Sequence, residues 1–210
     1  MRWKPGRRRR SWVAATAAAS RRRRRALGVL WVDAHADMNT PATSPSGNVH
    51  GMPLAALLQH APAELAGIGG VTPAVRPTRV ALVCIRSLDA QEKVLVRDSG
   101  VHIFTMSDID RLGLAAVTQR ALKLILRGRA DLRASFDLDV CDPAIAPGVG
   151  TPVPGGLSYR EAHMLLEMVA ETGRLRALDL VEVNPTLDTH NATSELAVAL
   201  ALSAFGQRVL

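Results

Sequence analysis

Two acidic clusters lie about a hundred residues apart in this 210-residue chain, V-D-A-H-A-D-M-N at residues 32–39 and S-F-D-L-D-V at residues 135–140. Each closes an apolar run with the composition of a buried strand. Side chains alternate along a strand, so Asp33, His35 and Asp37 are expected on one side of the first run, and Asp137 and Asp139 on one side of the second. Four carboxylates and an imidazole meeting beyond strand ends cannot all stay ionised without opposing charge. Divalent cations are the simplest source, and hard oxygen ligands with a single imidazole suit Mn²⁺ better than thiolate-seeking zinc. Two such ions balance four carboxylates, which favours a two-metal site that prepares a water for attack. The competing use of D-x-H-x-D is a polar strand end with caps and turn ligands. A second D-x-D after another apolar strand weighs against it.

The elements that must position these clusters alternate along the chain. Strands are predicted at 27–32, 79–85, 101–105, 132–137 and 177–183, with helices at 53–59, 89–98, 114–127, 158–172 and 194–205. That alternation predicts an α/β fold, three layers with a mainly parallel sheet, whose sites lie beyond the strand ends. Ser158-Tyr159-Arg160-Glu161 is a capping box and marks a helix start. Two long loops follow the acidic clusters: 40–49, rich in Thr, Ser, Pro and Gly, and 141–157, which contains P-G-V-G-T-P-V-P-G-G. Loops of that length in a compact domain tend to be functional.

Charge divides the chain. The formal net charge is +7, but eleven of the 26 basic residues fall in residues 1–26, which hold no acid. The rest carries 15 basic against 19 acidic residues, a net of −4. Residues 1–26 are therefore read as an Arg-rich leader, disordered or non-native, ahead of a domain at 27–210. A nucleic-acid arm and an organelle transit peptide are the other uses of such a segment, but no nucleic-acid-reading motif follows it. No apolar run is long enough for a membrane span. Cys84 in an apolar strand and Cys141 without a partner at metal spacing suit a reduced, cytoplasmic compartment.

Together the motifs resemble the arginase family of the ureohydrolases: D-A-H-A-D-M-N-T-P at 33–41, S-G-N-V-H-G-M-P at 46–53, S-F-D-L-D at 135–139, G-T-P-V-P-G-G-L at 150–157 and E-V-N-P at 182–185. The resemblance implies hydrolysis of L-arginine to L-ornithine and urea by a hydroxide bridging two manganese ions. Asp33 and Asp137 would bridge the ions, with Asp37 on one and His35 and Asp139 on the other. Glu182, at the end of the strand 177–183, would pair with the substrate guanidinium beside Thr151. His50 would shuttle protons, and Asp37 would hand one to the departing amine. Asn39, Ser44, Ser46 and Asn48 would read the α-carboxylate, and Asp89 and Glu92 the α-ammonium. Ser87 stands where an acid is usual and Ser44 where threonine is usual. Asp89 also reads as a helix cap, and Asp179 as a hydrogen-bonder within its strand.

The resemblance lacks the family's N-terminal third, with its opening strands and a G-G-D-H histidine ligand. The chain is therefore expected to be N-terminally truncated, with one ion held more weakly and a sheet edge left bare. The family implies a homo-oligomer, trimer or hexamer. Two alternatives are an agmatinase-like guanidino hydrolase and a non-catalytic ureohydrolase relic that uses its basic arm for binding.

Overall fold

A computed structural model describes residues 26–67 and 73–207. The Arg-rich segment 1–25 lies outside the described residues. Five strands form the sheet: β1 (Leu27–Val32), β2 (Val80–Ile85), β3 (His102–Thr105), β4 (Asp131–Asp137) and β5 (Leu175–Val181). Their spatial order is β3-β2-β1-β4-β5, and every pairing is parallel. The chain leaves β1 toward β2 and β3, then returns to the other side of β1 to lay down β4 and β5. The crevice between the C-terminal ends of β1 and β4 is thus a topological switch point, where open parallel sheets bind ligands.

Seven α-helices connect the strands among the described residues: α1 (Pro53–Leu57), α2 (Ala63–Ala66), α3 (Ala90–Asp98), α4 (Met106–Leu112), α5 (Leu114–Ile125), α6 (Tyr159–Glu171) and α7 (Ala192–Ala204). The alternation of β1 sorts them into layers. Leu30 and Val32 pack with Val117, Ile125, Leu165, Val169 and Leu200 of α5 to α7. Val29 and Trp31 pack with Leu54, Leu57, Leu65 and Val96 of α1 to α3. Continuous apolar runs in β1 and β2 follow from burial on both faces. Gly28 is fixed by close approach, since a Cβ there would lie 2.8 Å from the Ile125 carbonyl oxygen.

Several boundaries differ from expectation. Residues 77–79 form a 3-10 turn, which delays β2 to Val80. Helix α4 was not foreseen; Thr105 and Asp108 form its capping box, with aspartate in the place where glutamate or glutamine is the usual signal. Strand β5 ends at Val181, so Glu182 lies beyond it in a left-handed conformation with φ 60° rather than inside the strand. Strand β5 is the edge next to β4, and none of its residues is fully buried. Asp179 on β5 is ion-paired to Arg133 of β4 at 2.5 Å.

Candidate metal centre

Both acidic clusters sit at the switch point, but by turns rather than by strand alternation. Strand β1 stops at Val32 and the backbone bends through Asp33 to His35. The His35 amide donates to Asp33 Oδ1 at 2.6 Å. Strand β4 stops at Asp137, Leu138–Val140 form a 3-10 turn, and the Asp139 amide donates to Asp137 Oδ1 at 2.8 Å. Each cluster therefore uses its first aspartate to cap its own turn, a habit of short carboxylates. The register pairs Val32 with Phe136, which brings the two turns side by side.

The turns lock across the crevice. His35 Nδ1 lies 3.0 Å from Asp139 Oδ2 and 3.4 Å from Asp33 Oδ1. Asp139 also accepts from the Ala34 amide at 3.3 Å and from Thr151 Oγ1 at 2.9 Å. Ligand atoms of Asp33, His35 and Asp139 all fall within 4.8 Å of one another. Asp37, with φ 53°, turns the chain so that its carbonyl accepts from the Leu54 and Ala55 amides at the start of α1.

The electrostatics are those of carboxyls crowded into a dry crevice. Burial pushes Asp33 up to about 7, despite opposing hydrogen bonds from His35. Burial and the neighbouring carboxylates drive Asp37 and Asp137 well above the usual range. Burial disfavours the His35 imidazolium, yet hydrogen bonds to Asp139 and Asp33 outweigh it and raise His35 to about 10. Burial also opposes the Asp139 anion, but hydrogen bonds from His35 and Thr151 hold it below the ordinary value. In the chain alone, protons and one imidazolium must offset the crowded charge; divalent cations would take over that task. Oxygen donors with one imidazole fit a hard divalent ion, so the donor set suits the group the sequence calls for.

A cavity of about 270 Å³ opens onto this centre, lined by Asp33, His35, Asp37, Asn39, Ser44, Ser46, His50, Asp89, Glu92, Asp137, Asp139, Thr151 and Glu182. Of the expected site residues, Asn48 stands apart: it is exposed and lines an adjoining cavity of about 630 Å³ with His50, Asp37, Asp137, Thr151 and Glu182. His50 lies on the 3-10 turn Val49–Gly51. Asp89 has two roles, capping α3 through Oδ1 and accepting from Asn39 Nδ2 at 2.7 Å through Oδ2. Glu92 is buried, and its Oε1 accepts from the Met38 amide at 2.9 Å. Trp31, which is not among the expected site residues, joins them: its indole N–H donates to Asp33 Oδ2 at 3.1 Å. Its position two residues before Asp33, at the end of the apolar run, is the signal the sequence offers.

A model of the arginase family matches residues 11–206. The chain belongs to the arginase family. It is 48% identical to the arginase of Bacillus caldovelox over 184 residues, which covers 88% of this chain and 62% of that protein. It thus spans less than two thirds of the relative's length. The native structure of the Bacillus caldovelox arginase superposes with a TM-score of 0.91 at 46% identity, covering 96% of this chain and 67% of that one. An Entamoeba histolytica arginase structure in complex with L-ornithine gives 0.86 at 33% identity, covering 93% and 66%. Among the described residues no helix is long and apolar enough to cross a membrane.

Proposed function

We propose that residues 27–210 form a ureohydrolase domain that hydrolyses L-arginine to L-ornithine and urea at a binuclear manganese centre. What carries the reading is one cavity lined at once by the carboxylate and imidazole cluster, by Glu182 and by the polar residues Asn39, Ser44 and Ser46. Asp33 and Asp137 would be shared by the ions, His35 and Asp139 would hold one, and Asp37 the other. Among the described residues the ligand atoms found within 4.8 Å of one another are those of Asp33, His35 and Asp139, so the position held by Asp37 would be the weaker of the two. When bound, the two ions supply a nucleophile from water near neutral pH.

The chain's own groups do the rest. Glu182 offers a carboxylate to the forked guanidinium, fixing orientation as well as charge. Its placement is tight, since a Cβ on Gly150 would lie 3.1 Å from Glu182 Oε2. Asn39, Ser44, Ser46 and Asn48 offer neutral donors to the α-carboxylate, and Asp89 with Glu92 offers negative charge to the α-ammonium. His50, which lines both cavities, offers an imidazole to move protons between the cleft and solvent. Asp37, at the floor of both cavities, delivers a proton to the departing ornithine nitrogen.

Two buried free cysteines support a cytoplasmic setting. The exposed apolar side chains Val198, Leu202 and Phe205 on and just after α7 support a homo-oligomer. The test is urea release by the full chain with added Mn²⁺. Release from L-arginine, absent with agmatine and abolished by Asp137→Asn, is the expected result. Release from agmatine instead points to the agmatinase-like reaction, and no release with either to a non-catalytic relative.

A further inference from the structure

We infer that Arg86 is a positioning residue of the metal centre, a clamp that fastens the loop carrying Asp139 to the loop carrying Thr151. Its guanidinium donates to four backbone carbonyls. Nη2 reaches Asp139 O at 2.8 Å and Val153 O at 2.7 Å, Nη1 reaches Val140 O at 3.2 Å, and Nε reaches Pro154 O at 3.3 Å. The first acidic turn is tied to the same point, because the Arg86 and Ser87 amides both donate to Ala34 O at 3.0 Å. One side chain and its backbone therefore join three separate segments that surround the cleft.

Strand β2 is deformed to aim this residue. Its register with β3 runs to Val83 opposite Phe104 and resumes at Ile85 opposite Thr105. The skipped residue, Cys84, has φ 73°, a left-handed conformation that residues with a side chain rarely adopt. Val83 and Cys84 consequently both join the core beneath α5 to α7, while Ile85 joins the opposite core. A bulge of this kind shifts every later side chain by one position and re-aims it, a device common beside active sites. Without the extra residue, Arg86 would be turned away from the Asp139 side.

The clamp acts through Asp139. Thr151 and His35 both bond the same oxygen, Oδ2. A slip of the 151–154 loop against the 138–140 turn would withdraw Thr151 and let that oxygen swing from His35. The planar guanidinium, with five donors in a fixed fork, can hold carbonyls of two loops at once; a lysine ammonium on a flexible stem cannot span them in the same way. The consequence for metal retention rests on the function proposed above, whereas the tie between loops does not.

Hydrogen exchange on the full chain without metal, comparing wild type with Arg86→Ala and Arg86→Lys, reads the tie itself. The expected result is exchange faster by about tenfold or more at residues 138–142 and 151–157 in Arg86→Ala, with β1 and β4 unchanged and only partial recovery in Arg86→Lys. Mn²⁺ titration followed by electron paramagnetic resonance is then expected to show the tighter site weakened about 10–100-fold. Unchanged loop exchange, an increase shared equally by β1 and β4, or full recovery by lysine overturns the clamp. If Arg86→Ala does not fold, a loop-confined increase in Arg86→Lys supports the clamp and its absence refutes it. Wild type that takes up no Mn²⁺ refutes the metal centre, and the exchange result still decides the role of Arg86.

Discussion

Asp33 and Asp137 each accept the amide two residues ahead while facing the same crevice, so one carboxylate both shapes its turn and offers an oxygen to the centre. Residue types and spacing point to a donor set of which Asp33, His35 and Asp139 bring ligand atoms within 4.8 Å of one another, while Asp37 and Asp137 line the same cavity. The turns that gather them were not legible, because a D-x-H or D-x-D triplet after an apolar run looks the same whether the strand continues or bends. Under the proposed function, Glu182 is the residue on which recognition of the guanidinium would most depend. Replacing it by glutamine keeps size and removes charge, and a charge-assisted hydrogen bond contributes about 1.5–3 kcal/mol. The expected outcome for Glu182→Gln is a fall of roughly 10–100-fold in kcat/KM for L-arginine, with Mn²⁺ binding retained, checked by steady-state urea assays beside a metal titration.

At the scale of elements, the 141–157 loop depends on a glycine whose missing side chain makes room for backbone. A Cβ on Gly156 would lie 2.4 Å from the carbonyl carbon of Cys141 and 2.5 Å from Val140 O, directly behind the turn that holds Asp139. Backbone cannot yield cheaply, so Gly156→Ala is expected to destabilise the fold by about 1–3 kcal/mol and to weaken Mn²⁺ binding, as seen by urea denaturation and metal titration. Helix α7 has a different dependence. Asn191 at its start is left-handed and its side chain makes no cap bond, so Asp188 reaches over to accept from the Thr193 and Ser194 amides at 3.0 and 3.2 Å. Thr193 in turn accepts from the Gly148 amide, linking α7 to the 141–157 loop.

Slight burial opposes the Asp188 anion, but these amides hold its pKa below the ordinary 3.8. A folded pKa below the unfolded one gives stability that is present above about pH 4 and lost as pH falls through the folded value. Asp188→Ala is therefore expected to cost about 1 kcal/mol at pH 7, with the difference from wild type shrinking in strong acid, checked by denaturation at both pH values. The strands and most helices were legible because their apolar periods are long. Helix α4 and the Cys84 bulge were not, since a capping box ending in aspartate and a single extra residue leave no periodic trace.

For the whole molecule, the fold delivers both acidic turns to one crevice because the chain reverses direction across β1. Alternating strands and helices made the parallel three-layer architecture legible, whereas strand order depends on packing that no local pattern encodes. Under the proposed function, ions held by residues at the ends of β1 and β4 would bind the folded state alone. Saturation at a hundred times the dissociation constant would add about 2.7 kcal/mol, so Mn²⁺ is expected to raise Tm by about 5–10 °C in calorimetry, reversed by chelator and absent in Asp137→Asn. The most direct measurement is anomalous diffraction at the manganese edge from crystals of the full chain grown with excess Mn²⁺. Two peaks are predicted between Asp33 and Asp137, one also against His35 and Asp139 and the other also against Asp37. Manganese bound elsewhere, or none in the crevice between β1 and β4, would contradict the account.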